Sequence, residues 1–392
     1  MRVAIVGAGV GGLTAALSLH ARGVRPLLLE RAAELAEAGA GVQLGPNAVR
    51  VLDRLELGAE VRAAGCAPDR IEVRRAADRR RLLTLELGAA AERRWGAPYL
   101  QLHRGDLQAR LLAALRRRDA ADLRLGVETV SAEPSGELRL ADGTRLEADA
   151  VLIADGVRSR LRAAVAPGEP PPRASGETAW RALVAAEALA PGLPVDAGVW
   201  TARRRHFVHY PVRGGALVNL VGVSETGGGA GESWREPGDP APFAALFGDW
   251  PEPVASLVAA APAVWRWALH HRPPARTLAR GRLALVGDAG HPVLPFLAQG
   301  AAMAVEDGWA VAEALGGGAP GEGQARLAGY AAGRLARVRR VQRASARNAR
   351  LFHLPDALAG AVFGLARALE LGDPARGLAR LDWLYGGGPV RP

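Results

Sequence analysis

The chain has 392 residues, of which 49% are hydrophobic and 23% are charged. This composition excludes wholesale disorder, collagen and a coiled coil, and the length suits two or three domains of roughly 150 residues each. The single cysteine, Cys66, excludes an intramolecular disulfide framework and a cysteine-based zinc or iron–sulfur site. We therefore expect no metal site and predict a cytoplasmic location.

The formal net charge of +10 comes from 50 basic residues, all of them arginine, interspersed with 40 acidic residues. Because the arginines form no basic stripe, the sequence predicts neither nucleic-acid binding nor stable membrane association. The longest uncharged stretch, residues 289–305, contains His291, Pro292 and Pro295 and is a poor membrane span. A basic nucleic-acid-binding or anion-binding protein remains as a minor alternative from a different functional class.

The N-terminal segment predicts a strand, a loop, a helix and a second strand in that order. Residues 2–6 form a short apolar run, 7–12 are glycine-rich, 13–22 carry apolar residues at helical spacing, and 24–30 form a second apolar run. This βαβ order would place the N–H groups and the positive dipole end of the helix beside the glycine loop. The arrangement favours a bound dinucleotide.

The glycines of this loop stand in the G-x-G-x-x-G register. Gly7 would permit the tight turn, Gly9 would let a pyrophosphate approach the backbone, and Gly12 would allow close helix–strand packing. Glu30, at the end of the second strand, would accept hydrogen bonds from ribose hydroxyls. A carboxylate there disfavours a ribose 2′-phosphate, although the adjoining Arg31 weakens that inference, and both NAD and FAD stay open.

Two later segments end a short apolar strand on an aspartate. Residues 151–154 precede Asp155 and Gly156, and residues 282–286 precede Gly287 and Asp288. The carboxyl ends of strands in an open α/β sheet line the ligand crevice, so these acids can meet the same ligand as the glycine loop.

These three segments, in this order and spacing, resemble motifs of the single-component FAD-dependent aromatic hydroxylases of the p-hydroxybenzoate hydroxylase type. The matching segments are Gly7-Ala8-Gly9-Val10-Gly11-Gly12, the central run from Ala154 to Arg162, and Gly287-Asp288-Ala289-Gly290-His291-Pro292. The resemblance covers essentially the whole chain. Within the family, residues 41–48 and 295–304 most resemble salicylate 1-hydroxylase, 3-hydroxybenzoate 6-hydroxylase and 6-hydroxynicotinate 3-monooxygenase.

The resemblance implies an α/β fold with a Rossmann-like FAD-binding domain, an inserted β-sheet substrate domain and a C-terminal helical segment. The implied division assigns 1–70, 101–173 and 275–320 to the discontinuous FAD-binding domain, 71–100 and 174–274 to the substrate domain, and 321–392 to the helical segment. The final residues, 386–392, are expected to be disordered.

The resemblance also implies a set of FAD contacts. Glu30 would hold the adenosine ribose, Arg104 would lie along the pyrophosphate and ribityl chain, and Asp288 would bind ribityl hydroxyls. Val127, in the strand-like stretch 125–130, would flank the adenine, whereas Asp155 is favoured as a structural or nicotinamide-handling residue. The full predicted set is Gly7, Gly9, Val10, Gly12, Glu30, Arg31, Gln43, Arg104, Val127, Asp155, Asp288, Pro295, Gly300 and Ala301.

After Pro295 the chain turns through Gln299 and Gly300 into a helical run, 301–315. The helix start could aim N–H groups at the flavin pyrimidine and stabilise the negative charge that follows reduction by NADH or NADPH. Gln299 is the best polar candidate for reaching both flavin and substrate. Only one dinucleotide fingerprint is present, so the electron donor would be a transiently bound NADH or NADPH, or a separate reductase.

The middle of the chain predicts a sheet, with strands at 71–74, 81–87, 177–186, 206–212 and 216–223. In 206–212 the alternation puts Phe207, His209 and Pro211 on one face and His206, Val208 and Tyr210 on the other. If the His209 face lines the cavity, His209 would be the general base for a phenolic substrate, because its ordinary pKa near 6.5 leaves it neutral at pH 7. Tyr210 is a weaker catalytic candidate.

The sequence therefore predicts an FAD-dependent monooxygenase that hydroxylates a small aromatic acid, the resemblance implying a flavin C4a-hydroperoxide as oxidant. NADH or NADPH and O2 would be its co-substrates, and the sequence permits a homodimer. The alternative is a flavin-dependent tailoring oxygenase, epoxidase or reductase that acts on a larger, non-benzoate substrate.

Overall fold

The computed structural model describes residues 1–35, 40–193, 196–225, 237–368 and 374–392. Its first large sheet has six strands, parallel except for one antiparallel pair at its edge. The strands run in the order Ala279–Arg280, Leu283–Leu285, Ala150–Ile153, Val3–Val6, Leu27–Glu30 and Asp122–Leu125. The two central strands, Val3–Val6 and Ala150–Ile153, are buried along their whole length, as expected for strands covered on both faces.

A second, eight-stranded sheet is mostly antiparallel. Its strands run in the order Pro237–Gly238, Val264–His271, Arg173–Ala185, Leu217–Glu225, Arg205–Val212, Gly198–Ala202, Arg70–Arg75 and Arg81–Glu86. A two-stranded sheet pairs Gly41–Leu44 with Leu100–His103, and a three-stranded sheet contains Thr129–Ala132, Glu137–Leu140 and Arg145–Glu147.

Helices cover both large sheets and form the C-terminal part of the chain. The α-helices are Val10–His20, Pro46–Arg54, Gly58–Ala64, Gly88–Trp95, Arg104–Arg117, Arg162–Val165, Pro240–Phe247, Val254–Ala259, Gly300–Leu315, Gly323–Phe352, Asp356–Ala368 and Pro374–Ala379. Among the described residues, none of these helices combines the length and apolar character that crossing a bilayer would need.

This architecture confirms the predicted α/β class, the N-terminal βαβ unit and the helical C-terminal segment. The exact domain boundaries remain a prediction. Helix Gly88–Trp95, from a segment assigned to the substrate domain, places Ala91 and Trp95 in the same hydrophobic core as the six-stranded sheet. The stretch 125–130 was predicted as one strand, which is wrong: two strands are separated at Gly126, whose φ is +71°.

The C-terminal residues 386–392 also differ from the expectation of disorder, because a buried arginine holds them. The Arg50 guanidinium donates hydrogen bonds to the backbone carbonyls of Tyr385, Gly387 and Val390, and also to that of Trp95. The Val390 side chain is buried. Sequence composition alone suggested a free tail, since the anchoring residue lies more than 300 positions away.

Candidate active site

The glycine loop lies between strand Val3–Val6 and helix Val10–His20, as predicted. Gly7 has a φ of +103°, and a Cβ built there would lie 2.5 Å from the carbonyl oxygen of Ala154. A Cβ at Gly12 would lie 1.9 Å from the carbonyl oxygen of Gly7, so only glycine allows this helix to approach the strand. A Cβ at Gly9, by contrast, meets no heavy atom within 4 Å. The helix N-terminus beside Val10 therefore opens onto free space, which fits a pyrophosphate.

Glu30 lies beside this loop and fixes its backbone. Its carboxylate accepts hydrogen bonds from the N–H groups of Ala8, at 2.8 Å, and Ala32, at 2.9 Å. An ionised carboxylate has about four acceptor positions, so two remain for ribose hydroxyls. The Val127 N–H donates to the Glu30 carbonyl, which brings the two predicted adenosine contacts together. Arg31 is exposed next to them.

Asp155 lies near the same end of the cleft. One of its carboxylate oxygens, Oδ1, is fully buried and has no hydrogen-bond partner among the described residues. Burial raises the pKa of Asp155, and the nearby Glu30 charge raises it further, although a hydrogen bond from Ser159 opposes this. A buried acceptor without a partner is unusual and points to a group that the protein alone does not supply.

Arg104 and Asp288 are the two residues predicted to contact the pyrophosphate and the ribityl chain. Both side chains are exposed, although their chain neighbours His103, Gly105, Gly287 and Ala289 are buried. The buried surroundings of Asp288 raise its pKa, whereas the neighbouring His291 and Arg104 lower it. Arg104 and Asp288 are thus close enough to influence each other, and their contacts with the ribityl chain and pyrophosphate stay a prediction.

The predicted flavin end is formed by the turn Pro295–Leu297 and the start of helix Gly300–Leu315. Ala298 adopts the left-handed conformation at φ +52°, which redirects the chain so that Gln299 caps the helix. A Cβ at Gly300 would meet nothing within 4 Å, so the N–H groups at Gly300 and Ala301 border open space. This is a second helix N-terminus suited to a developing negative charge.

Gln299 is completely buried, and its carbonyl oxygen accepts from the Asn47 side chain at 3.1 Å. Its Nε2 group has no hydrogen-bond partner among the described residues. Gln43, on the two-stranded sheet, accepts a hydrogen bond from the Tyr99 hydroxyl at 2.8 Å. The free amide of Gln299 fits a contact with a bound flavin or substrate.

The structure brings Tyr210, not His209, toward this cleft. A Cβ built on Gly41 would lie 2.6 Å from the Tyr210 hydroxyl oxygen, and the Gly41 N–H donates to the Asn219 side chain at 2.6 Å. Asn219 is the cross-strand partner of Tyr210. Burial raises the pKa of the Tyr210 hydroxyl above its ordinary value. Tyr210 therefore lies on the face of strand Arg205–Val212 that packs against Gly41.

His209 lies on the opposite face of the same strand, so the condition under which it would act as general base, a cavity on the His209 face, is not met there. Its Nε2 accepts a hydrogen bond from the Trp200 indole N–H at 3.1 Å. Phe207, on the same face, packs with Phe243 and Phe247 of the covering helix Pro240–Phe247. Burial lowers the pKa of His209 to about 4. His209 is a hydrogen-bonded residue of this outer core.

Sequence reasoning missed His206, which shares a face with Tyr210. Its ring contacts Phe296 of the turn Pro295–Leu297, with ring centroids 5.1 Å apart. Its Nδ1 lies 2.8 Å from Nε2 of His353, whose own Nδ1 lies 3.3 Å from a carboxylate oxygen of Glu225. Burial and the neighbouring His353 hold the pKa of His206 well below its usual value. The available signal was the alternation itself, which defines two faces without indicating which one meets the flavin domain.

A buried charge network behind the turn was also missed. Glu306 and Asp307, both fully buried on helix Gly300–Leu315, accept hydrogen bonds from Arg334, and Glu306 also accepts from Arg337 and Asn47. Burial raises the pKa of Glu306, but the charges of Arg334 and Arg337 outweigh it and leave that pKa lowered. Because Asn47 also donates to Gln299, this network supports the side chain that is predicted to reach flavin and substrate.

Comparison with known proteins identifies the family of this chain. The family model described as FAD binding domain matches residues 1–345. The 3-amino-4-hydroxybenzoate 2-monooxygenase PtnB3 of Streptomyces platensis is 39% identical over 359 residues, covering 91% of this chain and 89% of the relative. The 3-hydroxybenzoate 6-hydroxylase of Klebsiella oxytoca is 33% identical over 394 residues, covering 98% and 96%.

Among solved structures, Klebsiella pneumoniae HpxO, complexed with FAD and uric acid, superposes with a TM-score of 0.84 at 26% identity, covering 99% of this chain and 97% of that one. The match extends from the glycine loop to the C-terminal helices. This chain belongs to the FAD-binding domain family and is an FAD-dependent monooxygenase.

Proposed function

We propose that the protein hydroxylates a small aromatic acid that carries a hydroxyl or amino group, with NADH or NADPH as electron donor. Bound FAD supplies the redox chemistry, because it accepts a hydride from nicotinamide and activates O2 for transfer of one oxygen atom. The relatives named for benzoates match about nine-tenths of this chain or more. They favour this substrate class over a larger tailoring substrate.

The observation that carries the proposal is the pair of helix N-termini at Gly9 and Gly300, where an added Cβ would meet no heavy atom within 4 Å. Gly9 would receive the pyrophosphate and Glu30 the ribose. Gly300 and Ala301 would direct N–H groups at the flavin pyrimidine, while the free amide of Gln299 would contact flavin or substrate. Each group is fixed by neighbouring backbone or buried side chains, which keeps the site preorganised.

The proton acceptor for the substrate hydroxyl in this proposal is His206. It shares a sheet face with Tyr210 and contacts the turn next to Gln299. Its lowered pKa keeps the imidazole neutral at pH 7 and therefore able to accept a proton. The Nδ1 atom of His206 contacts His353, and the other ring nitrogen of His353 contacts the Glu225 carboxylate. A proton taken up from the substrate can therefore pass from His206 to His353 and on toward Glu225.

His206→Asn tests this role. General base catalysis contributes about 100-fold to 10,000-fold, so we expect kcat for a hydroxybenzoate to fall by at least about 100-fold while FAD stays bound. In the wild type, kcat should fall as the pH drops through the His206 pKa, below 6.5, because the imidazole is then protonated. The matched control is His20→Asn on helix Val10–His20, which should retain wild-type kcat. Equal kcat for His206→Asn and wild type would exclude His206 as the base.

The function itself is tested with purified holoenzyme. The protein should carry one FAD per chain and should oxidise NADH or NADPH faster when 3-amino-4-hydroxybenzoate or 3-hydroxybenzoate is added. Comparison of the two nicotinamides identifies the donor, and sedimentation velocity shows whether the protein forms a homodimer. Bound FAD with no response to any hydroxylated or amino-substituted aromatic acid would contradict the substrate assignment.

A further inference from the structure

Arg181 presents a positive charge on the flavin-facing side of the eight-stranded sheet. It lies on strand Arg173–Ala185, where Arg181 pairs with Val221 and Leu183 pairs with Asn219. Val221 and Asn219 pair in turn with Val208 and Tyr210. Since residues two apart in a strand share a face, Arg181 lies on the same face as Tyr210.

Arg181 has no ion-pair partner among the residues that the structure describes. No carboxylate of the described residues lies within ion-pair distance of its guanidinium, and its Nε is fully buried without a hydrogen-bond partner there. The guanidinium lies 5.0 Å from the ring centroid of Trp267. Burial lowers the pKa of Arg181, the Tyr210 hydroxyl raises it, and a second cation, Arg104, lowers it again.

Arg181 is half-buried, with its Nε fully enclosed, whereas three arginines with buried side chains show the usual arrangement. Arg162 pairs with Glu169 and two backbone carbonyls, Arg334 pairs with Glu306 and Asp307, and Arg50 donates to four carbonyls. Burying a guanidinium without such partners is unfavourable, so buried charges are normally paired. Arg181 departs from this pattern at the face that a substrate would occupy.

We propose that Arg181 binds the carboxylate of the aromatic substrate. This inference rests on the proposed function and specifies the group that recognises the acid. A guanidinium matches a carboxylate through two parallel N–H···O bonds, and the low dielectric of the site strengthens them. Phe296, from the turn Pro295–Leu297, packs in the same cluster as Trp267 and Val221, the neighbours of Arg181. The carboxylate site thus lies beside the turn that leads to Gln299.

The test measures binding rather than turnover. Holoenzyme without NADH or NADPH is titrated with 3-amino-4-hydroxybenzoate and with 3-amino-4-hydroxybenzamide, and Kd is read from the perturbation of the flavin absorbance spectrum. A second pair, 3-hydroxybenzoate and 3-hydroxybenzamide, is used in case the enzyme does not accept the amino-substituted ring of the first pair. The amides keep the ring and remove only the negative charge.

Arg181→Gln should weaken binding of the acid by about 100-fold and change amide binding by less than about 3-fold, since only the acid loses a charged partner. Arg181→Lys should weaken acid binding by about 10-fold, because a lysine provides charge without the planar fork. The control is Arg266→Gln on the neighbouring strand, whose guanidinium lies over Trp180 on the outer face. It removes the same charge and should leave both Kd values unchanged.

Wild-type enzyme that binds the amide as tightly as the acid would overturn this inference and leave the proposed function standing. The same holds if Arg181→Gln keeps the preference for the acid, or loses acid and amide equally. If Arg181→Gln does not retain FAD, Arg181→Lys decides: acid binding equal to that of wild type would contradict the proposal. Holoenzyme that binds no aromatic acid of either pair would overturn the proposed substrate class, and the role of Arg181 with it.

Discussion

Gly9 and Gly12, at the start of helix Val10–His20, have different physical roles. Gly12 is required by the fold, because a side chain there would overlap the carbonyl oxygen of Gly7. Gly9 has an ordinary φ of −74° and open space beyond its Cα. The protein alone would therefore tolerate a side chain at Gly9, whereas a pyrophosphate approaching the backbone would not.

Gly12→Ala and Gly9→Ala should separate these roles. Overpacking against rigid backbone typically costs about 1–3 kcal/mol, so Gly12→Ala should lower the free energy of unfolding of the apoprotein by at least that much. Gly9→Ala should change it by less than about 1 kcal/mol, but should weaken FAD binding by more than 10-fold. Urea unfolding of apoprotein and fluorescence titration with FAD measure the two effects. Wild-type FAD affinity in Gly9→Ala would show that the pyrophosphate does not lie there.

The burial of His209 should make the stability of the folded protein depend on pH. Its pKa is about 4 in the folded protein and near 6.5 when unfolded, so the unfolded chain binds more protons between these values. Stability from this residue is therefore complete above pH 6.5 and is lost as the pH falls toward 4, by up to about 3 kcal/mol.

His209→Gln isolates this contribution, since glutamine can still accept a hydrogen bond from Trp200 but does not titrate. At pH 7 the variant should be less stable than wild type, and the difference should narrow by up to about 3 kcal/mol on going to pH 4. Urea unfolding at pH 7, 5.5 and 4 measures it. A stability difference that does not change with pH would mean that His209 is not buried in its neutral form.

At the scale of elements, helix Gly300–Leu315 is held to helix Gly323–Phe352 by a buried charge network. Glu306 accepts from Arg334, Arg337 and Asn47. Arg337 also donates to the carbonyls of Trp383 and Leu384 near the C-terminus. One acidic residue thus connects the proposed flavin-binding helix, the long arginine-rich helix and the C-terminal segment.

Glu306→Gln should destabilise the protein by about 3–5 kcal/mol, because two guanidinium groups would remain buried without their shared carboxylate. The control is Glu322→Gln, which breaks an exposed pair with Arg326 and should change the stability far less, because water and salt screen exposed ion pairs. Chemical denaturation of both variants provides the comparison. Similar losses in the two variants would show that the buried network adds nothing beyond a surface ion pair.

Over the whole molecule, the sequence was most informative where structure depends on neighbouring residues. Glycine spacing and apolar runs located the strand, loop and helix at the N-terminus, and the strand ends at Asp155 and Asp288 followed from the same local patterns. The alternation in strand Arg205–Val212 predicted two faces correctly but could not assign them, because the covering helix Pro240–Phe247 and the contacting Gly41 are distant in sequence.

Polar contacts between residues far apart in the sequence could not be predicted for the same reason. Arg50 binds a C-terminal segment more than 300 residues away, and His206 meets His353 across 147 positions. Arginine is abundant throughout the chain, so nothing in the sequence separates a paired guanidinium from an unpaired one. The distinction at Arg181 depends on what surrounds it in the fold.

The most direct test of the account is the fate of molecular oxygen. Holoenzyme is incubated with NADH or NADPH, 18O2 and either 3-amino-4-hydroxybenzoate or 3-hydroxybenzoate, and the product is analysed by mass spectrometry. We predict a hydroxylated aromatic product that contains one 18O atom for each nicotinamide oxidised in productive turnover. Protein that binds FAD and oxidises the nicotinamide but forms no 18O-labelled product from any such acid would contradict the account.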